Sequence, residues 1–256
     1  MCRFRFLLLF LFFPIVAFAA KGDWQLLKST HFFIYYKEAP QSTVERLAQA
    51  AESCYSNITN ELGFNRFNFW TWDRRARIYI FDTQQDYRKD TDAPDWSAGQ
   101  AAVANKLIKT FVTAPGFLNN ILPHELAHII FREMVGFNNP AVPLWLEEGV
   151  ASYQGENIYA VKAKLAEGIR SGNFISLGDL SRLGLSKSED KARAALFYAE
   201  AYSLVKYLIS EFGRGKFVFF CQSLRDSRNL AAALSKAYSF SNMANFEEGW
   251  KAYILR

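Results

Sequence analysis

Residues 123–130 read Pro-His-Glu-Leu-Ala-His-Ile-Ile and contain the pattern H-E-x-x-H. Residues four apart on an α-helix lie one above the other on the same face, so the imidazoles of His124 and His128 can reach one metal ion together. Glu125 lies one step round the helix, where its carboxylate can reach a metal-bound water. Imidazole ligands suit zinc, and a catalytic zinc site keeps one position open. The stretch therefore predicts a zinc site if the segment is helical.

The residues around the motif favour a helix. Pro123 is compatible with the first helical turn, where amide donors have no partner anyway, if Asn119 or Asn120 caps the helix. Helix formers and an apolar face come from the neighbouring side chains: Leu122, Leu126, Ile129 and Ile130.

A second segment offers a candidate for a third metal ligand. Residues 143–151 read Pro-Leu-Trp-Leu-Glu-Glu-Gly-Val-Ala, and Glu148 follows His128 by twenty positions. The H-E-L-A-H pattern followed by W-L-x-E-G-x-A resembles the gluzincin metallopeptidases, in particular the peptidase MA-like superfamily, over residues 117–155. The resemblance implies one zinc ion per chain, with Glu148 as its third ligand on a second helix. Glu147 is then not a ligand, although it remains a possible substrate contact.

H-E-x-x-H alone is a short pattern that also occurs by coincidence. Two of the three histidines in the chain fall in it. Together with the second segment at a plausible distance, this favours a metal site over chance. The third histidine, His31, lies in an apolar run typical of a strand, so we expect it to be structural and not a ligand.

Length and composition indicate one domain. The chain has 256 residues, of which 50% are hydrophobic and 16% aromatic, enough for a sizeable core. The formal net charge is +5, with no basic run long enough to predict nucleic-acid binding.

Residues 1–20 have the form of a secretory signal peptide. Arg3 and Arg5 precede an apolar stretch from Phe6 to Phe18, and residues 17–19 give an A-x-A cleavage pattern. The stretch is shorter than the roughly 20 apolar residues of a membrane span, so an uncleaved anchor is the weaker alternative. We therefore expect a secreted or periplasmic protein with no membrane span after cleavage, whose domain covers residues 21–256.

The first half of the chain predicts a mixed sheet. His31–Tyr36 and Arg77–Phe81 have the aromatic and β-branched content of strands. Between them, Ser42 and Glu45 predict a capping box at the start of a helix that Gly63 closes. The aromatic residues 67–72 suit packing between strand and helix better than an exposed binding platform.

Residues 84–89 predict a short helix, and residues 96–113 an edge strand or hairpin before the H-E-x-x-H helix. In gluzincins the strand at this place borders the cleft, so the resemblance implies that Gly99–Val103 line it and that an extended peptide or protein substrate pairs with them.

The second half is helical. We predict an α+β fold with a sheet and zinc-helix part over residues 21–155 and a helical part over residues 156–256. The expected helices are residues 156–170, Ala194–Phe212, Gly215–Arg225, Leu230–Tyr238 and Asn245–Leu255.

The predicted function is that of an exported zinc-dependent peptidase. Glu125 would act as general base on the zinc-bound water. By resemblance to aminopeptidase-like gluzincins, Tyr198 would donate a hydrogen bond to the oxyanion, with Tyr202 one turn further along. The alternative for both tyrosines is simple packing of their helix against the core.

Two other functions use the same residues. One is a non-catalytic, zinc-containing binding or assembly module, and the other is hydrolysis of cell-wall amides. Thermolysin-like enzymes carry an acidic residue four positions after the third ligand, whereas this chain has Ser152, so the outer partners of the histidines are not predicted. Cys54 and Cys221 either form a disulfide or remain buried free thiols.

Overall fold

The computed structural model describes residues 23–153, 158–183 and 190–256. The predicted signal segment, residues 1–20, and the boundary predicted near residue 155 both lie outside these ranges.

A five-stranded mixed sheet forms the first layer, in the order β1-β2-β3-β5-β4. The central pairs β2–β3 and β3–β5 are parallel, while the outer pairs β1–β2 and β4–β5 are antiparallel. The strands are β1 (Gln25–Lys28), β2 (Phe32–Tyr36), β3 (Ala76–Phe81), β4 (Gly99–Ala102) and β5 (Leu107–Phe111). The hairpin of β4 and β5 confirms the expected edge strand before the metal-motif helix.

One face of this sheet carries the main core. Alternate side chains of β2, namely Phe32, Ile34 and Tyr36, are buried, as the two-residue period of a strand requires when one face is covered. α1 (Gln41–Leu62) and α3 (Leu122–Val135) lie on this face and contact each other. The short α2 (Gln84–Thr91) covers part of the other face, with Tyr87 buried against Phe111.

The remaining helices follow α3 and confirm the predicted helical half. They are α4 (Leu144–Ser152), α5 (Ile158–Ser171), α6 (Leu177–Leu180), α7 (Lys191–Phe212), α8 (Arg214–Ser227), α9 (Leu230–Tyr238) and α10 (Met243–Leu255). The architecture is the expected α+β fold. In the described ranges no helix combines the length and the apolar character that crossing a bilayer requires.

Both predicted N-terminal caps are wrong. α1 begins at Gln41 after Pro40, with no side-chain cap, so Ser42 lies inside the helix. α3 has no side-chain cap either, because a π-helical turn over Phe117–Ile121 runs directly into it and contains both asparagines proposed as caps. A helix that continues from a preceding turn leaves fewer amide donors unpaired, and a cap is then not required.

His31 has the structural role expected for it. Its ring stacks on Tyr55 at 3.8 Å between centroids, and its Nδ1 lies 2.6 Å from Glu52 Oε2. Burial opposes ionisation of Glu52, but hydrogen bonds from His31 and Ser29 outweigh it and lower the pKa of the carboxyl. This network fastens the start of β2 to α1.

The other two side-chain predictions have mixed outcomes. Cys54 and Cys221 are both free thiols, so they form no disulfide. In the aromatic segment, Trp70 is buried and donates from Nε1 to Glu133 at 2.9 Å, whereas Trp72 is 82% exposed. Packing is therefore the role of most of this segment, but not of Trp72.

The closest packing in the helical half is between α4 and α7. A Cβ atom built on Gly149 would lie 2.3 Å from the carbonyl oxygen of Ala201. Real Cβ atoms do not approach backbone oxygens so closely, so only glycine permits this separation of the two helices. The contact holds the second half of α4, which carries the predicted third ligand, directly on α7.

We expect Gly149→Ala to lower the free energy of unfolding by about 2–3 kcal/mol, because overpacking forces the two backbones apart. Urea denaturation of the purified protein measures this change. Gly215→Ala is the matched control, since nothing lies within 4 Å of the added Cβ, and the helix propensity of alanine should leave stability equal or raise it by up to about 1 kcal/mol. Equal stability of the two variants would contradict the steric argument.

Candidate metal centre

The H-E-x-x-H segment is helical, as its interpretation required. α3 presents His124 and His128 on one face, and α4, which packs against α3, presents Glu148 towards them. Glu125 lies beside this group on α3. The structure thus brings together four of the five side chains that the sequence analysis named for metal binding and catalysis.

The three predicted ligand side chains converge. His124 Nε2 lies 3.1 Å from His128 Nε2, and Glu148 Oε2 lies 3.7 Å from the first and 3.9 Å from the second. Within residues 23–153, 158–183 and 190–256, this is the one group of three or more histidine, cysteine or acidic side chains that converges in this way.

These residues fit a zinc ion. Tetrahedral coordination at about 2.1 Å places ligand atoms about 3.4 Å apart, and the three observed separations bracket that distance. Two neutral imidazoles and one carboxylate, with a fourth position left free, are also the ligand set of many catalytic zinc sites.

Burial sets the protonation of the imidazoles. Desolvation lowers the pKa of His124, and desolvation together with the neighbouring His124 lowers the pKa of His128 to about 4. Both rings are therefore neutral at pH 7, and their contacts with Glu148 are not ion pairs. A neutral imidazole has the free lone pair that a metal ligand needs.

The two carboxyl groups of the site are shifted in the opposite direction. Burial raises the pKa of Glu125 to about 7, and burial together with the charges of Glu147 and Glu125 raises the pKa of Glu148 to about 7. Glu125 also accepts a hydrogen bond from the backbone N–H of Ala101 in β4. A carboxyl group with a pKa near the working pH suits a general base.

Glu147, which the sequence left open as a possible substrate contact, pairs with an arginine in the structure. Arg132 binds its carboxylate through two nitrogens, with Nε 2.9 Å from Oε1 and Nη2 on Oε2. Glu147 Oε1 lies 3.8 Å from His128 Nδ1, which is buried and has no hydrogen bond. A bidentate pair of this kind holds both side chains in place, so Glu147 supports the histidine from behind the site.

The two tyrosines differ in exposure. Tyr198 is 39% exposed, whereas Tyr202 is buried, although both line one cavity between α5 and α7. Burial and the charge of Glu148 raise the pKa of Tyr198. Tyr198 is therefore the more accessible of the two and lies close enough to Glu148 to feel its charge, while Tyr202 packs in the wall of the cavity.

Two features of the site were missed from the sequence. Arg132 lies four residues after His128, so the helical period places it on the same face, and an arginine there could have indicated a carboxylate partner. The hydrogen bond from Ala101 had no signal in the side-chain pattern, because its donor is a backbone amide.

The sheet, the following helices and the two-histidine, one-glutamate group define a protein with a zinc peptidase-like fold. The family profile described as the Peptidase MA superfamily matches residues 71–256. The chain belongs to this superfamily, which confirms the resemblance noted in its sequence.

Other comparisons show more distant likeness. The chain resembles the crystal structure of a two-domain M1 zinc metallopeptidase, a mutant bound to L-arginine, with a TM-score of 0.49 and 14% sequence identity. The match covers 91% of this chain and 51% of that chain. The protein therefore spans about half the length of the M1 metallopeptidase chain. None of the curated proteins compared with the chain matches it.

We expect Arg132→Met to lower the free energy of unfolding by about 3 kcal/mol, because it leaves the largely buried carboxylate of Glu147 without its partner. Thermal and urea denaturation measure the loss. The double variant Arg132→Met, Glu147→Met should recover part of it, since no unpaired charge remains.

Arg182→Met is the control for this prediction. Arg182 pairs with Asp179 at 3.2 Å, but the two side chains are 79% and 61% exposed. Loss of such a solvent-exposed pair costs less than about 1 kcal/mol. A comparable loss from both single variants would show that burial of the Arg132 pair has no special weight.

Proposed function

We propose that this protein is an exported zinc-dependent metallopeptidase that hydrolyses peptide bonds. The observation that carries the proposal is the position of Glu125, a partly buried carboxyl group beside His124, His128 and Glu148 but outside their convergent group. A site that served only to bind structural zinc would normally close all four positions with protein ligands.

His124, His128 and Glu148 would hold one zinc ion per chain. When bound, zinc polarises a substrate carbonyl and lowers the pKa of water at its open position. Glu125 would take a proton from the attacking water as general base and deliver it to the leaving amine. The hydrogen bond from Ala101 would keep the Glu125 carboxylate pointed into the cleft, on the side of β4.

The substrate would be a peptide or protein segment in extended conformation. β4 is one of the two edge strands of the described sheet, and the backbone N–H of its residue Ala101 donates to Glu125 in the site. A free strand edge can pair with an added peptide strand. This arrangement supports the role in substrate binding predicted for Gly99–Val103.

The proposed chemistry predicts that Glu125→Gln keeps about one zinc ion per chain but loses peptidase activity by at least about a hundredfold, the loss expected for a general base. The glutamine has the same shape and cannot accept the proton. Zinc is measured by elemental analysis, and activity by cleavage of an unfolded protein such as casein.

The double variant His124→Ala, His128→Ala is the control and should lose both zinc and activity. Unchanged activity of Glu125→Gln would favour the non-catalytic binding module, and unchanged zinc in the double variant would reject the metal site. Cleavage of purified cell-wall amides but of no peptide would favour the amide hydrolase.

Tyr198 is the proposed oxyanion donor. Tyr198→Phe removes the hydroxyl group without opening a cavity, because the ring is partly exposed. We expect kcat to fall by about 10²–10³, the effect of losing one such donor, while zinc content and thermal stability hardly change. Steady-state kinetics on a fluorogenic peptide measure kcat and KM separately.

Tyr202→Phe removes the other tyrosine hydroxyl group on α7 and tests whether the effect is specific to Tyr198. This variant should retain most of the activity. A larger loss from Tyr202→Phe would transfer the role to that residue. If neither variant loses more than a few-fold, the oxyanion donor lies outside α7.

Export is the remaining part of the proposal and rests on the pattern of residues 1–20. We expect cleavage after Ala19, because the preceding residues form the A-x-A pattern. N-terminal sequencing of the protein from the periplasmic or culture fraction of a bacterial host identifies the first residue. Recovery of the chain in the membrane fraction with residues 1–20 intact would instead support an anchor.

A further inference from the structure

Two adjoining cavities lie between α5 and α7, and the second also reaches Asp179 of α6. The first has a volume of about 380 Å³ and the second about 630 Å³. Lys164 on α5 and Ala195 on α7 line both of them, so the cavities meet at these two residues. Together they form one groove along the first half of α7, which we call the α5–α7 groove.

The first cavity lies one helical turn beyond Glu148 along α4. Ser152 lines it and lies on α4 four residues after Glu148, which is one helical turn along the same face. Tyr198 also lines it, and the charge of Glu148 contributes to the raised pKa of this tyrosine. A chain bound across the metal centre would therefore enter the α5–α7 groove on the Glu148 side.

The walls of the first cavity are mainly apolar. Val161, Ala195 and Ala199 line it together with the rings of Tyr198 and Tyr202, and no carboxylate is among its lining residues. Its volume lies in the range of sites that enclose small molecules. These properties suit a large apolar side chain, aromatic or aliphatic.

Lys164 is the charged group at the junction with the second cavity. Among the described residues its ammonium group has no hydrogen bond or ion pair, whereas the acidic residues of the second cavity are engaged. Asp179 pairs with Arg182, and Asp190 accepts a hydrogen bond from the backbone N–H of Ala192. Arg193 also has an interaction of its own. Lys164 is thus the cation in the groove that is available to an anionic group.

We propose that the α5–α7 groove is a specificity site that binds a large apolar substrate side chain in the first cavity and a carboxylate beside Lys164. Ala192 and Ala199 are seven residues apart on α7, about 10 Å, which equals about three residues of extended chain. The carboxylate therefore belongs one or two residues from the apolar side chain. It is either the C-terminal carboxylate of a short peptide or an acidic side chain.

This inference rests on the proposed peptidase function, and binding to zinc-loaded Glu125→Gln protein tests it without turnover. The probes are acetyl-Ala-Phe-Ala with a free C-terminus, the same peptide as its amide, acetyl-Ala-Phe-Glu amide and acetyl-Ala-Phe-Lys amide. Isothermal titration gives each Kd. The carboxylate-bearing probes should bind about fivefold more tightly than the neutral amide, the upper range for a solvent-accessible ion pair.

The first two probes compare a C-terminal carboxylate with a neutral end, and the last two compare an acidic side chain with a basic one. A preference confined to one of these pairs identifies the source of the carboxylate. Equal binding of all four probes would overturn the proposal, and so would an unchanged Kd when alanine replaces phenylalanine.

Charge reversal assigns the preference to its residue. In the Glu125→Gln background, Lys164→Glu should invert the ranking and favour the lysine-bearing probe. Lys89→Glu makes the same change of net charge on α2, away from the groove, and should keep the original ranking. If the Lys164→Glu variant keeps the original ranking of the probes, Lys164 does not bind the carboxylate.

A filled groove provides a second, independent test. Ala195 is exposed on α7, so Ala195→Trp should fold and block the junction of the cavities, weakening every probe at least about fivefold. Ala231→Trp places the same side chain on exposed α9 and should bind the probes normally. Unaltered binding by Ala195→Trp would also reject the site.

Cleavage by the unmutated protein separates this inference from the proposed function. If it cuts casein but the probes show no ranking, the α5–α7 groove is not a specificity site and the peptidase function stands. If it cuts no peptide while the ranking persists, the groove binds such ligands and the peptidase function fails.

Discussion

The contact between Gly149 and Ala201 is the constraint on which the site depends. It lets α4 lie directly on α7, so the carboxylate of Glu148 reaches the histidines of α3 while Tyr198 of α7 stays near it. A side chain at position 149 would increase the distance between α4 and α7. The predicted ligands and the predicted oxyanion donor belong to three helices, and this one close approach determines how two of them meet.

Burial then sets the chemistry of the groups that the helices bring together. Removal from water disfavours every charged form, so it lowers the pKa of the histidines and raises the pKa of the two carboxyl groups facing them. Three acidic side chains in so small a volume would repel each other. Arg132 compensates one of them, Glu147, and ties α3 to α4 at the same time.

The sequence was most informative where spacing alone determines geometry. Positions four apart on a helix had to place His124 and His128 together, and the apolar pattern indicated most of the later helices. It was least informative where tertiary contacts decide. The start of α3 depends on a preceding π-helical turn, and the role of Glu147 depends on an arginine from another helix. The π-helical turn leaves no local pattern, so the predicted caps were wrong, whereas Arg132 could have been noticed from its place one helical turn after His128.

The two sides of the proposed substrate cleft are built from different structures and offer different chemistry. β4 presents backbone groups, which any extended peptide can pair with, whatever its side chains. The α5–α7 groove presents side chains, so discrimination between substrates can arise there. The metal motif, between β4 and the α5–α7 groove, does not distinguish one substrate sequence from another. A substrate preference therefore cannot follow from residues 123–151, however specific that stretch is for the family, because the residues that would select a side chain lie on α5 and α7.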